Sequence, residues 1–120
     1  MPKKILIVDD EPNIVIPLEF LMKQSGYEVS TACNGDQLFA AIDSEQPDLI
    51  LLDVMLPGMD GFEICHTIRA NHNKNMKIIL LTARSREVDI KKGLGMGANA
   101  YIKKPFSTKE LMHTIQQMIN

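Results

Sequence analysis

Aspartates, a threonine and a lysine stand where the apolar runs of this chain stop. Ile5 to Val8 ends in Asp9-Asp10, Asp48 to Leu52 ends in Asp53, Ile78 to Leu81 ends in Thr82, and Tyr101-Ile102 leads into Lys103-Lys104-Pro105-Phe106. Carboxylates crowded together are costly to ionise, and a hard cation such as Mg²⁺ relieves that cost by taking oxygen ligands. In this arrangement Asp10 and Asp53 are the direct ligands, with Asp9 reaching the metal through water. An ionised carboxylate beside a cation can attack phosphorus and form an acyl phosphate. The transfer needs charge neutralised on the phosphoryl oxygens, to which a Lys104 ammonium and a Thr82 hydroxyl can contribute. Taken alone, the Asp-Asp pair also reads as helix capping by Asp10 ahead of Pro12. Asp53 tips the balance, because it follows an apolar run and precedes the Pro- and Gly-rich turn Val54-Met55-Leu56-Pro57-Gly58-Met59-Asp60-Gly61.

These side chains need elements that bring them together. Strand-like segments are Lys4–Val8, Glu28–Thr31, Leu49–Leu52, Lys77–Leu81 and Ala100–Ile102, with helical patterns between them. Alternation of strand and helix favours an α/β fold with a parallel sheet. The first, third and fourth segments are nearly unbroken apolar runs, as expected when helices cover both sheet faces. Glu28-Val29-Ser30-Thr31 is more polar and alternates, which suits an edge. A parallel sheet gathers the C-terminal ends of its strands along one side, where α/β proteins bind ligands. The acidic, hydroxyl and ammonium groups therefore converge.

The helical segments carry their own signals. In the last one Leu111, Met112, Ile115, Met118 and Ile119 form one apolar stripe, and Ser107 with Glu110 makes a capping box. The first has its stripe at Ile14, Val15, Leu18, Leu21 and Met22, begins near Pro12 and is stopped by Gly26. Pro17 falls inside it, where it should remove a hydrogen bond and kink the axis. Ile16 and Phe20 lie off the stripe, either packed by that kink or exposed for a partner. Gly93, Gly95 and Gly97 fall inside or at the end of the fourth helix, and each interior glycine costs about 1 kcal/mol relative to alanine. That helix should be the least stable of the set. A plain helix terminus capped by Gly97 accounts for the same glycines, and a dinucleotide fingerprint does not, since Gly-x-Gly-x-Gly here precedes a strand.

The chain has 120 residues, 45% hydrophobic and 23% charged, within the range of one globular domain spanning 1–120. No apolar stretch approaches the roughly 20 residues needed to span a bilayer. Met1-Pro2-Lys3-Lys4 runs directly into a strand and is too brief for a secretory signal, which points to a cytoplasmic location. A formal net charge of −2, with basic residues spread over separate elements, argues against direct nucleic-acid binding. The two cysteines, Cys33 and Cys65, have neither metal-ligand spacing nor a disulfide framework, and are expected as reduced, partly buried thiols. His66, His72 and His113 share no catalytic or metal-binding spacing and default to the surface. The eight methionines are read as core filler.

The motifs together resemble the receiver domain of two-component response regulators, over essentially the whole chain. The carrying segments are Ile7-Val8-Asp9-Asp10-Glu11-Pro12, Leu51-Leu52-Asp53-Val54-Met55-Leu56-Pro57-Gly58-Met59-Asp60-Gly61, Leu81-Thr82-Ala83 and Lys103-Lys104-Pro105-Phe106. The resemblance implies a five-stranded parallel sheet of order 2-1-3-4-5 with helices on both faces, the flavodoxin-like order that a chemotaxis member of the family also has. It implies that Asp53 accepts the phosphoryl group, that Asp9 and Asp10 are the acidic metal pair, and that the Met55 carbonyl is a further ligand. The cofactor would be Mg²⁺, with Mn²⁺ able to replace it. Thr82 and Lys104 would be the switch hydroxyl and phosphate-binding lysine, Tyr101 the aromatic that changes rotamer, and Lys104-Pro105 a cis peptide bond. The phosphoryl donor would be a histidine kinase or a histidine phosphotransfer protein. Thr82 then moves toward the phosphate, Tyr101 turns inward, and the face of the fourth helix, fifth strand and fifth helix changes for a downstream effector or a homodimer. On this reading the domain is a phosphoacceptor switch and not an enzyme.

The sequence departs from the family in places. Regulators with DNA-binding effectors often carry two acidic residues where Asn99 and Ala100 stand, and arginines in the last helix where Lys109 and His113 stand, so their salt-bridged dimer face is not expected here. Met55 and Arg84 lie two residues beyond Asp53 and Thr82, positions that tune loss of the phosphoryl group. An apolar Met55 cannot orient a water, which implies a long-lived phosphoryl state. Among other classes, a flavin protein of similar topology needs a glycine- and hydroxyl-rich loop after the first strand, and Asp-Asp-Glu-Pro would repel a phosphate there. An aspartyl phosphatase needs an acid/base carboxylate at the position of Met55. A receiver-like module that is never phosphorylated would not need the intact acidic set. Whether the chain acts alone or within a longer regulator is left open.

Overall fold

A computed structural model of the protein describes residues 2–56, 58–71, 75–84 and 86–119. Pro57, in the turn after Asp53, and His72, expected at the surface, lie outside the described residues. The central sheet is built from β1 (Lys4–Val8), β2 (Glu28–Ala32), β3 (Leu49–Leu52), β4 (Lys77–Thr82) and β5 (Ala100–Lys103). All neighbouring pairs are parallel, and the spatial order is β2-β1-β3-β4-β5, or 2-1-3-4-5. The polar segment β2 pairs only with β1 and is an edge, as its alternation predicts. Between the strands run α1 (Pro12–Gln24), α2 (Gly35–Glu45), α3 (Gly61–Asn71), α4 (Glu87–Gly95) and α5 (Thr108–Ile119).

Successive strand residues point to opposite faces, and both faces are buried. Leu6, Val8, Ile50, Leu52, Ile78 and Leu80 pack with Leu38 and Ile42 of α2 and Phe62, Ile64, Cys65 and Ile68 of α3. Ile5, Ile7, Leu49, Leu51, Ile79 and Leu81 pack with Leu18 and Met22 of α1 and Leu111, Met112 and Ile115 of α5. This two-sided cover explains why the central strands read as unbroken apolar runs.

Helix α1 continues through Pro17 to Gln24, and Gly26, at φ +96°, makes the left-handed turn that ends it. Ile16 and Phe20 are exposed, so they are not packed by a kink. At α5 one half of the capping box is formed, with the Glu110 N–H donating to Ser107 Oγ at 3.3 Å. Cys65 is buried as expected, but Cys33 is exposed, because it sits in the β2–α2 turn where its backbone N–H donates to Gln37 Oε1. His66 and His113 are on the surface.

Helix α4 stands apart. Its buried residues are Asp89 and Gly93, neither of which brings an apolar side chain to the core. A Cβ on Gly93 would lie 2.7 Å from Leu80 Cδ1 and 3.0 Å from Tyr101 Cδ2, so this glycine is where α4 approaches the sheet. A thin apolar anchor is thus a second reason, beside glycine content, to expect low stability in this helix.

Candidate functional site

The strand ends deliver their side chains to one place because the sheet register aligns them. The Asp9 N–H donates to the Ala32 carbonyl and the Asp53 N–H to the Val8 carbonyl, which continues the β1 pairings one step past the strands. The Lys104 N–H likewise donates to the Thr82 carbonyl at 2.8 Å, tying the β5 exit to the β4 exit. The Lys104–Pro105 peptide bond is cis.

Asp9, Asp10, Glu11 and Asp53 each place a carboxylate oxygen so that all lie within 4.8 Å of one another. Asp9 and Asp53 are buried, while Asp10 and Glu11 face the open side. An all-oxygen donor set of this kind suits a hard divalent cation such as Mg²⁺. Asp10, Glu11, Asp53, Met55, Ala83 and Lys104 line a common cleft of about 380 Å³.

Lys104 supplies the internal counter-charge. Its Nζ lies 2.8 Å from Asp9 Oδ2, 3.0 Å from Glu11 Oε1 and 3.4 Å from Asp53 Oδ2. Burial acts to lower its pKa, but the hydrogen bonds to Asp9 and Glu11 and the charge of Asp53 outweigh it and hold the ammonium above the usual lysine range. Asp53 shifts upward too. Burial pushes its carboxyl above the ordinary carboxylate value, and the Asp9 charge adds to this, against the Met55 N–H bond and Lys104. Lys104 lies closer to Asp9 and Glu11 than to Asp53, and burial remains the largest influence on the Asp53 carboxyl.

Two backbone turns orient the carboxylates. The Glu11 N–H donates to Asp9 Oδ1 at 2.9 Å and the Met55 N–H to Asp53 Oδ1 at 2.9 Å. Met55 itself is 59% exposed and pairs with Asp60 in a short antiparallel ribbon, Met55–Leu56 with Met59–Asp60. Gly61 closes this segment. Its N–H donates to the Val54 carbonyl, and a Cβ there would lie 2.5 Å from Val54 Cα and 2.8 Å from Asp53 O.

Thr82 is fully buried at the end of β4, its Oγ1 accepting the Arg84 N–H at 3.2 Å. Tyr101 donates its hydroxyl to the Arg84 carbonyl at 2.6 Å. Burial, then the Asp89 charge, raise the Tyr101 pKa, so the phenol stays a donor. Asp9, Asp10, Asp53, Met55 and Lys104 are thus brought around one acidic centre, with Thr82 and Tyr101 joined through Arg84 beside it.

Three residues of this region carry no signal in the sequence that marks them out. Glu11 is visible only as the third acid of the Asp-Asp-Glu run, and its contact with Lys104 is a tertiary one. Asp89 reads as an ordinary acidic residue in a first helical turn, yet it is 4% exposed and paired with Arg84 and Arg86. Arg69 of α3 donates to the Gly97 and Met76 carbonyls and to Asn99 Oδ1. Asn99 Oδ1 also accepts the Ile78 N–H at 2.8 Å, so this exposed residue ties β4 to α3.

The model of the response regulator receiver domain matches residues 5–116. Among solved structures, the chain is similar to the BeF3-activated DrrB receiver domain, with 33% identity, a TM-score of 0.91, and 99% of this chain and 98% of that one covered. It is similar to the BeF3-activated N-terminal receiver domain of Klebsiella pneumoniae RstA, with 30% identity, a TM-score of 0.90, and coverage of 98% and 100%. A third is the chemotaxis response regulator CheY4 of Vibrio cholerae, with 31% identity, a TM-score of 0.91, and coverage of 99% and 100%. Sheet order, acidic cluster and sequence match agree: the chain belongs to the response regulator receiver domain family of two-component signalling, which implies a cognate histidine kinase.

Proposed function

We propose that Asp53 accepts a phosphoryl group from a histidine kinase or a histidine phosphotransfer protein and so switches the α4–β5–α5 face toward a downstream effector. The observation that carries this reading is the setting of Asp53, 5% exposed, among neighbouring carboxylates and 3.4 Å from the Lys104 ammonium. A carboxylate oxygen of Asp53 attacks phosphorus, the new O–P bond forms, and the P–N bond of the donor phosphohistidine breaks. The leaving imidazole takes its proton from solvent.

Asp10, Asp53 and the Met55 carbonyl, with Asp9 through water, would hold Mg²⁺, which supplies positive charge against the phosphoryl oxygens. Lys104 already stands charged at the same spot and exchanges carboxylate partners for the incoming anion. Thr82 keeps a hydroxyl proton to donate, since its oxygen accepts from Arg84 in this structure. Moving Thr82 toward the phosphoryl group pulls on the Arg84 segment to which Tyr101 is bonded, biasing a two-state equilibrium. Two of the similar structures are of BeF3-activated receivers, which supports an anion-responsive pocket in this chain as well.

The test is incubation with Mg²⁺ and acetyl phosphate, followed by intact mass measurement of native protein and Asp53→Asn. Native protein should gain one phosphoryl mass and the variant none. Equal gain in both, or none in either, sinks the reading. The receiver domain would span 1–120, and its altered face would meet an effector or a second copy of the chain.

A further inference from the structure

We propose that Asp89 is a positioning residue for the switch: by pairing with Arg84 it fixes a residue whose main chain joins Thr82 to Tyr101. The Arg84 N–H donates to Thr82 Oγ1 at 3.2 Å and its carbonyl accepts the Tyr101 hydroxyl at 2.6 Å. A single peptide segment therefore touches both groups, and its placement sets how far movement of one reaches the other.

Arg84 lies between β4 and α4. Its hold comes from side chains. Arg84 reaches Asp89 Oδ1 at 3.3 Å, and its guanidinium lies 5.5 Å from the centre of the buried Phe62 ring. Asp89 is in turn held by Arg86 at 3.1 Å, so its second oxygen is occupied as well. A buried carboxylate tolerates its site only while it is paired. Since Asp89 and Gly93 are the buried residues of α4, this ion-pair cluster is also what seats the N-terminal turn of that helix. The same contacts turn the Arg84 side chain toward α3 and α4, leaving Ala83 at the cleft.

The latch couples two things that phosphorylation must change together: the position of Thr82 and the freedom of Tyr101. This role deepens the proposed function and rests on it, but the contact of Tyr101 with Arg84 can be tested separately, without a phosphodonor. Protein labelled with 3-fluorotyrosine gives fluorine resonances for Tyr27 and Tyr101, assigned with Tyr27→Phe. In Asp89→Asn the Tyr101 resonance should move toward the free-phenol position without any phosphodonor. The ratio of bonded to free populations should fall by about tenfold, a size expected for neighbours in one network.

Arg84→Gln is the second variant, and it leaves Asp89 paired with Arg86 if loss of the buried charge prevents Asp89→Asn from folding. It should give the same displacement, and the double variant should add little to either. A Tyr101 resonance that stays in place in a folded variant overturns the latch, whatever happens at Asp53. Displacements that add independently overturn it too. If wild-type protein gains no phosphoryl mass from acetyl phosphate, the phosphoryl reading fails, while the comparison made without a phosphodonor still decides the latch.

Discussion

Lys104 Nζ and Asp9 Oδ2, 95 residues apart in sequence, meet at 2.8 Å. The ammonium thereby occupies the acidic centre as its internal counter-ion. A divalent cation and Lys104 then compete for the same carboxylates, whereas an anion on Asp53 would bring both in at once. Lys104→Met should bind Mg²⁺ more tightly than native protein in a calorimetric titration, because no resident cation has to be displaced. The same variant should capture phosphoryl from acetyl phosphate at least about tenfold more slowly, on the scale of one lost charge-assisted interaction. Weaker metal binding in the variant would show that the lysine does not compete.

Much of this arrangement is legible in the chain, and the limit has a physical cause. Strand positions follow from runs such as Leu49–Leu52 that cannot be left in water, and a parallel sheet then sends Asp9, Asp53, Thr82 and Lys104 to one side. The polar alternation of Glu28–Thr31 likewise carries its edge position. What periodicity cannot carry is a contact made by one polar group across the fold. The ion pair of Asp89 with Arg84, the Asn99 bridge between Ile78 and Arg69, and the Glu11 contact with Lys104 depend on tertiary distance. The ribbon Met55–Leu56 with Met59–Asp60 is too short to have a period.

The glycines of α4 separate packing from propensity. Gly95 has nothing within 4 Å of its missing Cβ, so Gly95→Ala should stabilise the protein by about 0.5–1 kcal/mol through helix propensity. At Gly93 the added methyl meets Leu80 and the Tyr101 ring, and overpacking should cost about 1–3 kcal/mol. Urea unfolding of the two variants should therefore give opposite signs. A stabilised Gly93→Ala would mean that the Tyr101 ring yields freely.

Asp89 gives a pH signature. Its carboxyl is held below the usual range first by the Arg86 hydrogen bond, then by the Arg86 and Arg84 charges, against burial. A depressed folded-state pKa contributes stability above the unfolded value, near 3.9, and loses it as pH falls through the folded value. Asp89→Asn should therefore be less stable than native protein at pH 7, and the gap should close as pH falls below the ordinary carboxylate range. Urea midpoints across that range test this, and a gap that persists in acid would assign the loss to packing instead of charge.

Met55 offers a test of phosphoryl lifetime. Its side chain is exposed at the cleft and apolar, while its backbone N–H holds Asp53 Oδ1. Beside an acyl phosphate on Asp53, this side chain would offer no group to orient an attacking water. Met55→Glu keeps the backbone bond and adds a carboxylate able to direct water, a general-base contribution worth about a hundredfold or more. Decay of the phosphorylated species, followed by intact mass after the donor is removed, should be slow in native protein and markedly faster in the variant. Decay within seconds in native protein, with no change on substitution, would remove Met55 from control of the lifetime.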